Sequence, residues 1–565
     1  MQERIIHMEL INQHTKKIME GCKVRAADAG LQFQNESLEY IVTNRDLLEL
    51  SPKVMIPTLY DYWVHDVEIL KGKGKYELYP SNPYETVVNT RPAISFYNDN
   101  NPDWLNVMIF YHVLGHIDFF QNNAYFRHTW DYDFAGQALS DKRVVARLRS
   151  EHGRWVDYVI EFSRGIDNLV GYYNELALLN DFQSPAVMSK IDFYFDIFLQ
   201  SVLKVTTNDY IKEIERYNQC VRDDTVRCQD LFFAEIELKH PEFESVYQKR
   251  VQKPIPRQRD VLQYIMSKSK FLNSDENQWM KTVIQIVRKT SLFFQPQIRT
   301  KIMNEGWASF WHERLFLEDE RISGHEVEFA RVHAHVTSMP RVGLNPYALG
   351  MRLFSQIEEM ADKGRYGYDF ERIHDENQRK QFDAQTGHGK DFIFYVRQNW
   401  CDSMFINSFL DQDFMTRYKL FVAGKRQNKE RMVWEYYVKS RKCEDYLNML
   451  RRSLYHPPHI TIDEDKTNET SLHLVHQFED KPLVNEFIAN TMLGIEYLWG
   501  GSVHLETHEL ISAPKSAVSG PPTGYFPIPK PTEGDEPEER KWRRVVYSME
   551  NRKLTKKELK AESSG

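Results

Sequence analysis

The stretch FYHVLGHIDFFQNN, residues 110–123, sets two histidines four positions apart in a run that is otherwise mostly apolar or aromatic. A spacing of four puts His112 and His116 on one helix face, one turn apart. Upstream the run continues as LNVMIFY, residues 105–111, with apolar residues recurring at three and four. That period predicts a helix. Long segments of the same period recur in RVVARLRSEHGRWVDYVIEFSRGIDNLV (143–170), SKIDFYFDIFLQSVL (189–203) and QWMKTVIQIVRKTSLFF (278–294). The fold class that follows is mainly α with minor β (α+β), a large helical core with a small mixed C-terminal domain.

The chain has 565 residues, of which 41% are hydrophobic and 13% aromatic, enough for a large core. Its 73 basic and 81 acidic residues leave a net charge of -8, which excludes an overall basic nucleic-acid binder. Arginine and aromatics mix in RYGYDFERIHDE (365–376) and KWRRVVYSME (541–550), but neither forms a long basic stripe. No nucleic-acid partner is expected. Five cysteines, none in CxxC spacing, point to a reducing compartment without disulfides or thiolate zinc knuckles. The opening MQERIIHMELINQHTKKIME is not a signal peptide, and no apolar run reaches membrane-spanning length. A cytoplasmic protein with no membrane span is the expectation. Nucleotide-binding glycine loops and a G-x-S-x-G elbow are absent.

Four regions are expected along the chain. Residues 1–100 form a mixed segment packing on the core, with YETVV and AISFY as strands. Residues 101–455 form the helical core, carrying a charged, less regular insertion near 205–260. Residues 456–511 form the small mixed domain. Residues 512–565 comprise a Pro/Gly/Ser-rich linker, one possible strand at KWRRVVYSME and a frayed basic tail. Pro296 suits the first position of a helix running through PQIRTKIMNEGWASFWHERLF (296–316). In NPYALGMRLFSQIEEMADKG (345–364), Asn345 reads as N-cap, Pro346 as the first helical residue and Gly364 as the stop. Leu349, Leu353, Ile357 and Met360 form its buried stripe.

Two imidazoles one turn apart can hold one metal ion, as in HExxH zinc enzymes. Here the stretch is HVLGH, so Val113 stands where the general-base glutamate would be. The alternative is a pair of core or surface histidines. Glu305 and His312, seven apart, share a second helix face with Ile298, Ile302, Ser309 and Phe316. A carboxylate on that inward face must be paired or bound. Either it accepts from His312 or Arg299, or it is a metal ligand. Gly115 and Gly306 suggest that the two helices cross closely. Asp118 faces sideways from His116 and would act on a ligand only through a neighbouring helix. Asn122 and Asn123 read as helix termination. His333 and His335, read as an HxH on an extended segment, would point the same way and either complete a site, act as acid and base near one, or fill an ordinary surface or hinge role.

NEGWA, residues 304–308, resembles the second motif of the gluzincin zinc peptidases. That resemblance implies His112, His116 and Glu305 as ligands of a divalent metal, zinc first, with His312, His333 or His335 replacing the absent catalytic base. HVLGHIDFFQNN, PQIRTKIMNEGWASFWHERL, GLNPYALG and LWGGSVHLE (498–506) together closely resemble the SpoVR family, the stage V sporulation protein R group of bacteria. The likeness runs over roughly residues 25–510. Its motifs fall on His112 and His116, on Asn304, Glu305, Gly306, Trp307, Ser309, Trp311 and His312, and on Asn345, Pro346, Tyr347 and Gly350. The chain departs from the family at RKTSLFF (288–294), where acidic residues are common, and at Ile117 after the second histidine. The resemblance implies a link to sporulation and spore cortex formation or stress physiology, with a metal-dependent hydrolase acting on an amide or peptide bond. It equally implies a non-catalytic regulator or scaffold working with a PrkA-type serine kinase and a von Willebrand A-domain protein.

Overall fold

The computed structural model describes residues 9–34, 36–43, 85–130, 134–171, 190–203, 205, 207–223, 227–251, 260–428, 433–454, 457–478, 481–510 and 542–559. The expectations for 44–50, 76–84 and the linker at 512–537 lie outside these residues. The chain divides into a main unit, Met1–Leu176 with Asp260–Gly565, and a second unit, Ala177–Arg259.

The main unit opens with β1 (Glu9–Leu10), α1 (Gln13–Asp28), β2 (Ser37–Val42), β3 (Glu85–Val88) and β4 (Ala93–Asn98). The strands form one sheet in the order β1-β2-β4-β3, with β2 and β4 parallel and the other pairs antiparallel. α2 (Asp103–Asn122) follows and is buried on every side from Leu105 to Phe120. An apolar helix with no polar face has to be enclosed by others. Next come α3 (Phe134–His152), α4 (Trp155–Arg164), α5 (Gln278–Arg299), α6 (Lys301–Leu317), α7 (Glu326–Val336), α8 (Pro346–Asp362), α9 (Gly389–Asn399) and α10 (Asp402–Phe409). A hairpin, β5 (Val422–Asn428) and β6 (Val433–Ser440), precedes the C-terminal sheet.

That sheet contains β7 (His459–Ile462), β8 (Ser471–Gln477), β9 (Ser502–Leu510), β10 (Trp542–Glu550) and β11 (Lys553–Glu558), in the order β11-β10-β9-β8-β7. α11 (Asn485–Trp499) crosses between the parallel strands β8 and β9. The expected mixed domain is present, but the tail expected to fray forms β11 for Lys553–Glu558. The sheet is also not independent. Leu474, Leu505 and Val545 share a core with Val159 and Ile160 of α4 and Ile284 of α5. A separate core joins α1, α2, α6, α8, α9 and α10.

Pro296 does not begin a helix. It lies inside α5, and the chain breaks at Thr300. A proline inside a helix deprives the carbonyl four residues back of its partner. Here that carbonyl, Leu292 O, accepts from His128 Nε2 at 3.1 Å instead. The Asn345 side chain caps α8 by accepting from the Tyr347 and Ala348 N–H groups, and Gly364 stops it at φ +70°. Leu349, Leu353 and Ile357 are fully buried and Met360 partly so.

The second unit is more regular than the sequence suggested, with helices Thr207–Asp223, Cys228–Lys239 and Phe243–Val251 and a π-helix at Phe193–Val202. Phe193, Phe198, Phe232 and Phe243 form its own core. Among the described residues no helix is long and apolar enough to cross a membrane.

Close helix approach centres on three glycines. A Cβ on Gly115 of α2 would lie 2.8 Å from the Ala308 Cα of α6. Gly306 does not face α2 as expected. Its Cβ would fall 2.4 Å from the Gly350 Cα of α8. A Cβ on Gly350 would reach 2.1 Å from Ile302 O. Backbone at that range cannot step aside without moving a helix. Gly350→Ala should therefore destabilise by about 1–3 kcal/mol, the usual range for overpacking, read as a lower denaturant midpoint.

Candidate metal centre

α2 and α6 face each other through Gly115 and Ala308, which sets His112 and His116 opposite one face of α6. The phase of α6 is fixed at its start. Asp402, buried at the head of α10, accepts from the Ile302 and Met303 N–H groups at 2.9 Å each. It supplies in trans the cap that Thr300 does not provide. On the resulting inward face lie Ile302, Ser309, His312 and Phe316, all buried, with Glu305 near the rim. Ile298 belongs to α5 and is exposed, so the expected stripe begins at Ile302.

His112 Nε2 and His116 Nε2 stand 3.1 Å apart, and Glu305 Oε2 lies 3.6 Å from His116 Nε2. One ligand atom from each of the three residues falls within 4.8 Å of the others. A tetrahedral zinc site with bonds of 2.0–2.1 Å spaces its ligand atoms about 3.3 Å apart. The two separations measured from His116 Nε2 bracket that edge length.

His116 Nδ1 donates to Asn304 Oδ1 at 2.9 Å, which turns its Nε2 toward His112 and Glu305. Burial holds His112 neutral, well below the usual imidazole value, with His116 and His312 adding to the effect. Metal ligation requires neutral imidazoles. The Glu305 side chain is 16% exposed, and its Oε2 makes no hydrogen bond among the described residues. Buried Ser309 Oγ, one turn along, is likewise without one. Neither partner expected for Glu305 reaches it. Arg299 bonds Gln295, while His312 bonds His112 and His333. Buried polar atoms rarely stay unpaired. A carboxylate oxygen without a hydrogen bond beside the imidazole pair therefore fits a cation-binding role for these three residues. Tyr347 stacks on His112 and Phe120 on His116, walling the two rings.

The other predicted site residues divide. His312 is fully buried, and both its nitrogens are engaged, with His112 Nδ1 at 2.8 Å and His333 Nδ1 at 2.9 Å. His333 and His335 lie on α7, not on an extended segment. Two residues on a helix are about 200 degrees apart, so His333 points inward and His335 is exposed, away from the cluster. Sequence reasoning passed over Asn304 and Glu313 as contacts of the histidines. Their position beside Glu305 and His312 was the available signal.

Asp118 turns sideways, as its helical angle required. Fully buried, it accepts from Trp307 Nε1 and from the Gln32 N–H, each at 2.7 Å, and lies 3.4 Å from Arg397 Nε. It fastens α6 to α2 without touching a histidine of the cluster. Asn122 closes its helix by bonding the Asp118 and Gln32 carbonyls, and Asn123 bonds the Arg397 and Trp400 carbonyls.

A sequence model of the SpoVR-like proteins matches residues 7–457. The chain belongs to the SpoVR-like family. The phrase LWGGSVHLE lies outside the matched residues, so β9 and the sheet around it are not part of that likeness. The SpoVR-like chain is also 24% identical over 401 residues to the uncharacterized protein YcgB of Escherichia coli strain K12, covering 68% of this chain and 69% of that protein. No solved structure matches. All three clustered residues of this SpoVR-like protein lie within the matched segment.

Burial pushes the Asp402 carboxyl up to about 7, against the pull of its two N–H donors. The folded protein therefore holds a proton there that the unfolded chain gives up near the ordinary carboxylate value. Raising the pH from about 4 to about 7 should lower the stability of wild type relative to Asp402→Asn, with no further change above that window. Denaturant unfolding of both proteins at stepped pH measures it.

Proposed function

We propose that this SpoVR-like protein is a metalloprotein in which His112, His116 and Glu305 bind one divalent cation, zinc by preference, in a gluzincin-like arrangement. The observation that carries this reading is the unpartnered Glu305 Oε2 beside two imidazole nitrogens spaced as a tetrahedral edge. Two nitrogens and one oxygen suit zinc and leave a fourth position open, as in catalytic sites. When bound, such an ion polarises a carbonyl and lowers the pKa of a coordinated water. The chain's own residues orient the ligands through Asn304 and wall them with Tyr347 and Phe120. The chemistry best matched to this set is hydrolysis of an amide or peptide bond, and the family's tie to the spore cortex makes cell-wall material the candidate substrate.

A second reading has a specific observation behind it. Val113 occupies the general-base position, and His312 has no free nitrogen with which to replace it. This favours a metal-stabilised regulator acting with a PrkA-type kinase and a von Willebrand A-domain protein.

Elemental analysis and zinc titration of the purified chain test the proposal. About one ion per chain is expected, lost in His116→Ala and Glu305→Ala and retained in His335→Ala. Metal-free wild type under saturating zinc would overturn it. A zinc-loaded protein inert toward peptide amides would leave the metal in place and select the second reading.

A further inference from the structure

Behind the cluster runs an unbroken line of imidazoles. His112 Nδ1 meets His312 Nδ1 at 2.8 Å, His312 Nε2 meets His333 Nδ1 at 2.9 Å, and His333 Nε2 meets Glu313 Oε1 at 3.3 Å. Three of its four members are buried, and Glu313 is the most exposed, with 40% of its side chain reaching solvent.

A neutral imidazole carries one N–H and one lone pair, and each nitrogen–nitrogen contact needs one of each. The line can therefore be ordered in only two directions. A carboxylate accepts and does not donate, so Glu313 requires the proton of His333 on Nε2. His333 Nδ1 is then bare and accepts from His312 Nε2. His312 Nδ1 is bare in turn and accepts from His112 Nδ1, with the Ala308 carbonyl as a second acceptor for a His112 ring N–H. The remaining nitrogen, His112 Nε2, is left with its lone pair facing His116 Nε2 at 3.1 Å. Asn304 independently leaves the His116 lone pair on the same point. Two lone pairs at that distance repel, and a cation between them turns the repulsion into two bonds.

We propose that Glu313 is a positioning residue: acting through His333 and His312, it holds His112 in the Nδ1–H tautomer and so presents Nε2 to a metal ion. This inference rests on the metal reading and assigns His312 and His333 to ligand orientation in place of acid–base work. It extends the familiar carboxylate–histidine–metal arrangement by two intervening rings. The line ends on α6, one residue past His312, because α7 folds back to set His333 beside both.

Zinc competition against a chromophoric chelator, with full-length protein, tests it. Glu313→Leu, which removes the acceptor, should weaken zinc binding on the order of 10–100-fold. Glu313→Gln, whose side-chain carbonyl accepts the same N–H, should regain part of that loss. The metal-free melting temperature of Glu313→Leu should match wild type, since the carboxylate lies at the rim. Zinc affinity in Glu313→Leu equal to wild type would overturn the inference and leave the metal site standing. So would a Glu313→Gln that binds no tighter than Glu313→Leu, or a loss of affinity that tracks a lowered metal-free melting temperature. A wild type that binds no zinc removes the metal reading and this inference together.

Discussion

The arrangement depends on backbone approaching backbone where α2, α6 and α8 cross. Gly115 admits α6 to α2, and the Gly306–Gly350 pair admits α8 to α6. Side chains at any of these positions would push the helices apart. The imidazoles of α2 would then stand too far from Glu305 and His312. Glycines at helix crossings cost helix propensity, about 1 kcal/mol each relative to alanine. The chain carries three of them within one layer, and the polar residues between the helices explain why so close a spacing is kept.

Around that layer the polar groups fall into two sets with different tasks. Asp118, Trp307, Arg397 and Asp402 hold helices to one another, and each buried charge there has hydrogen-bonded partners or a counter-charge. His112, His116, Glu305 and Ser309 are arranged otherwise, since two oxygens among them have no partner within the described residues. A protein interior tolerates such groups when they serve a bound ligand. The difference that matters is at the carboxylates: Asp118 and Asp402 accept hydrogen bonds from their neighbours, while Glu305 Oε2 accepts none among the described residues.

Much of this was legible in the residues. The four-residue spacing of the histidines and the seven-residue spacing of Glu305 and His312 follow from helix geometry alone, as does the sideways turn of Asp118. The caps at Asn345 and Gly364 were readable because capping is local chemistry. What escaped depended on contacts far apart in sequence. Pro296 sits inside a helix because His128, from a distant segment, takes the carbonyl it orphans. The HxH of His333 and His335 has no local feature to distinguish strand from helix, and tertiary packing decided it. Gly306 was rightly seen as a contact point but assigned to the wrong neighbour, since a glycine says that something is near without saying what. The missing cap of α6 is filled from residue 402, a hundred positions away.

The C-terminal sheet carries a consequence for where this molecule can be cut. The family match ends at residue 457, yet Leu474, Leu505 and Val545 belong to the same buried cluster as Val159 and Ile284, which lie well inside the matched segment. A fragment ending at residue 457 would remove part of that cluster, expose apolar side chains to water and invite self-association. A piece that keeps this cluster whole therefore runs past residue 457, through the closing strand pair.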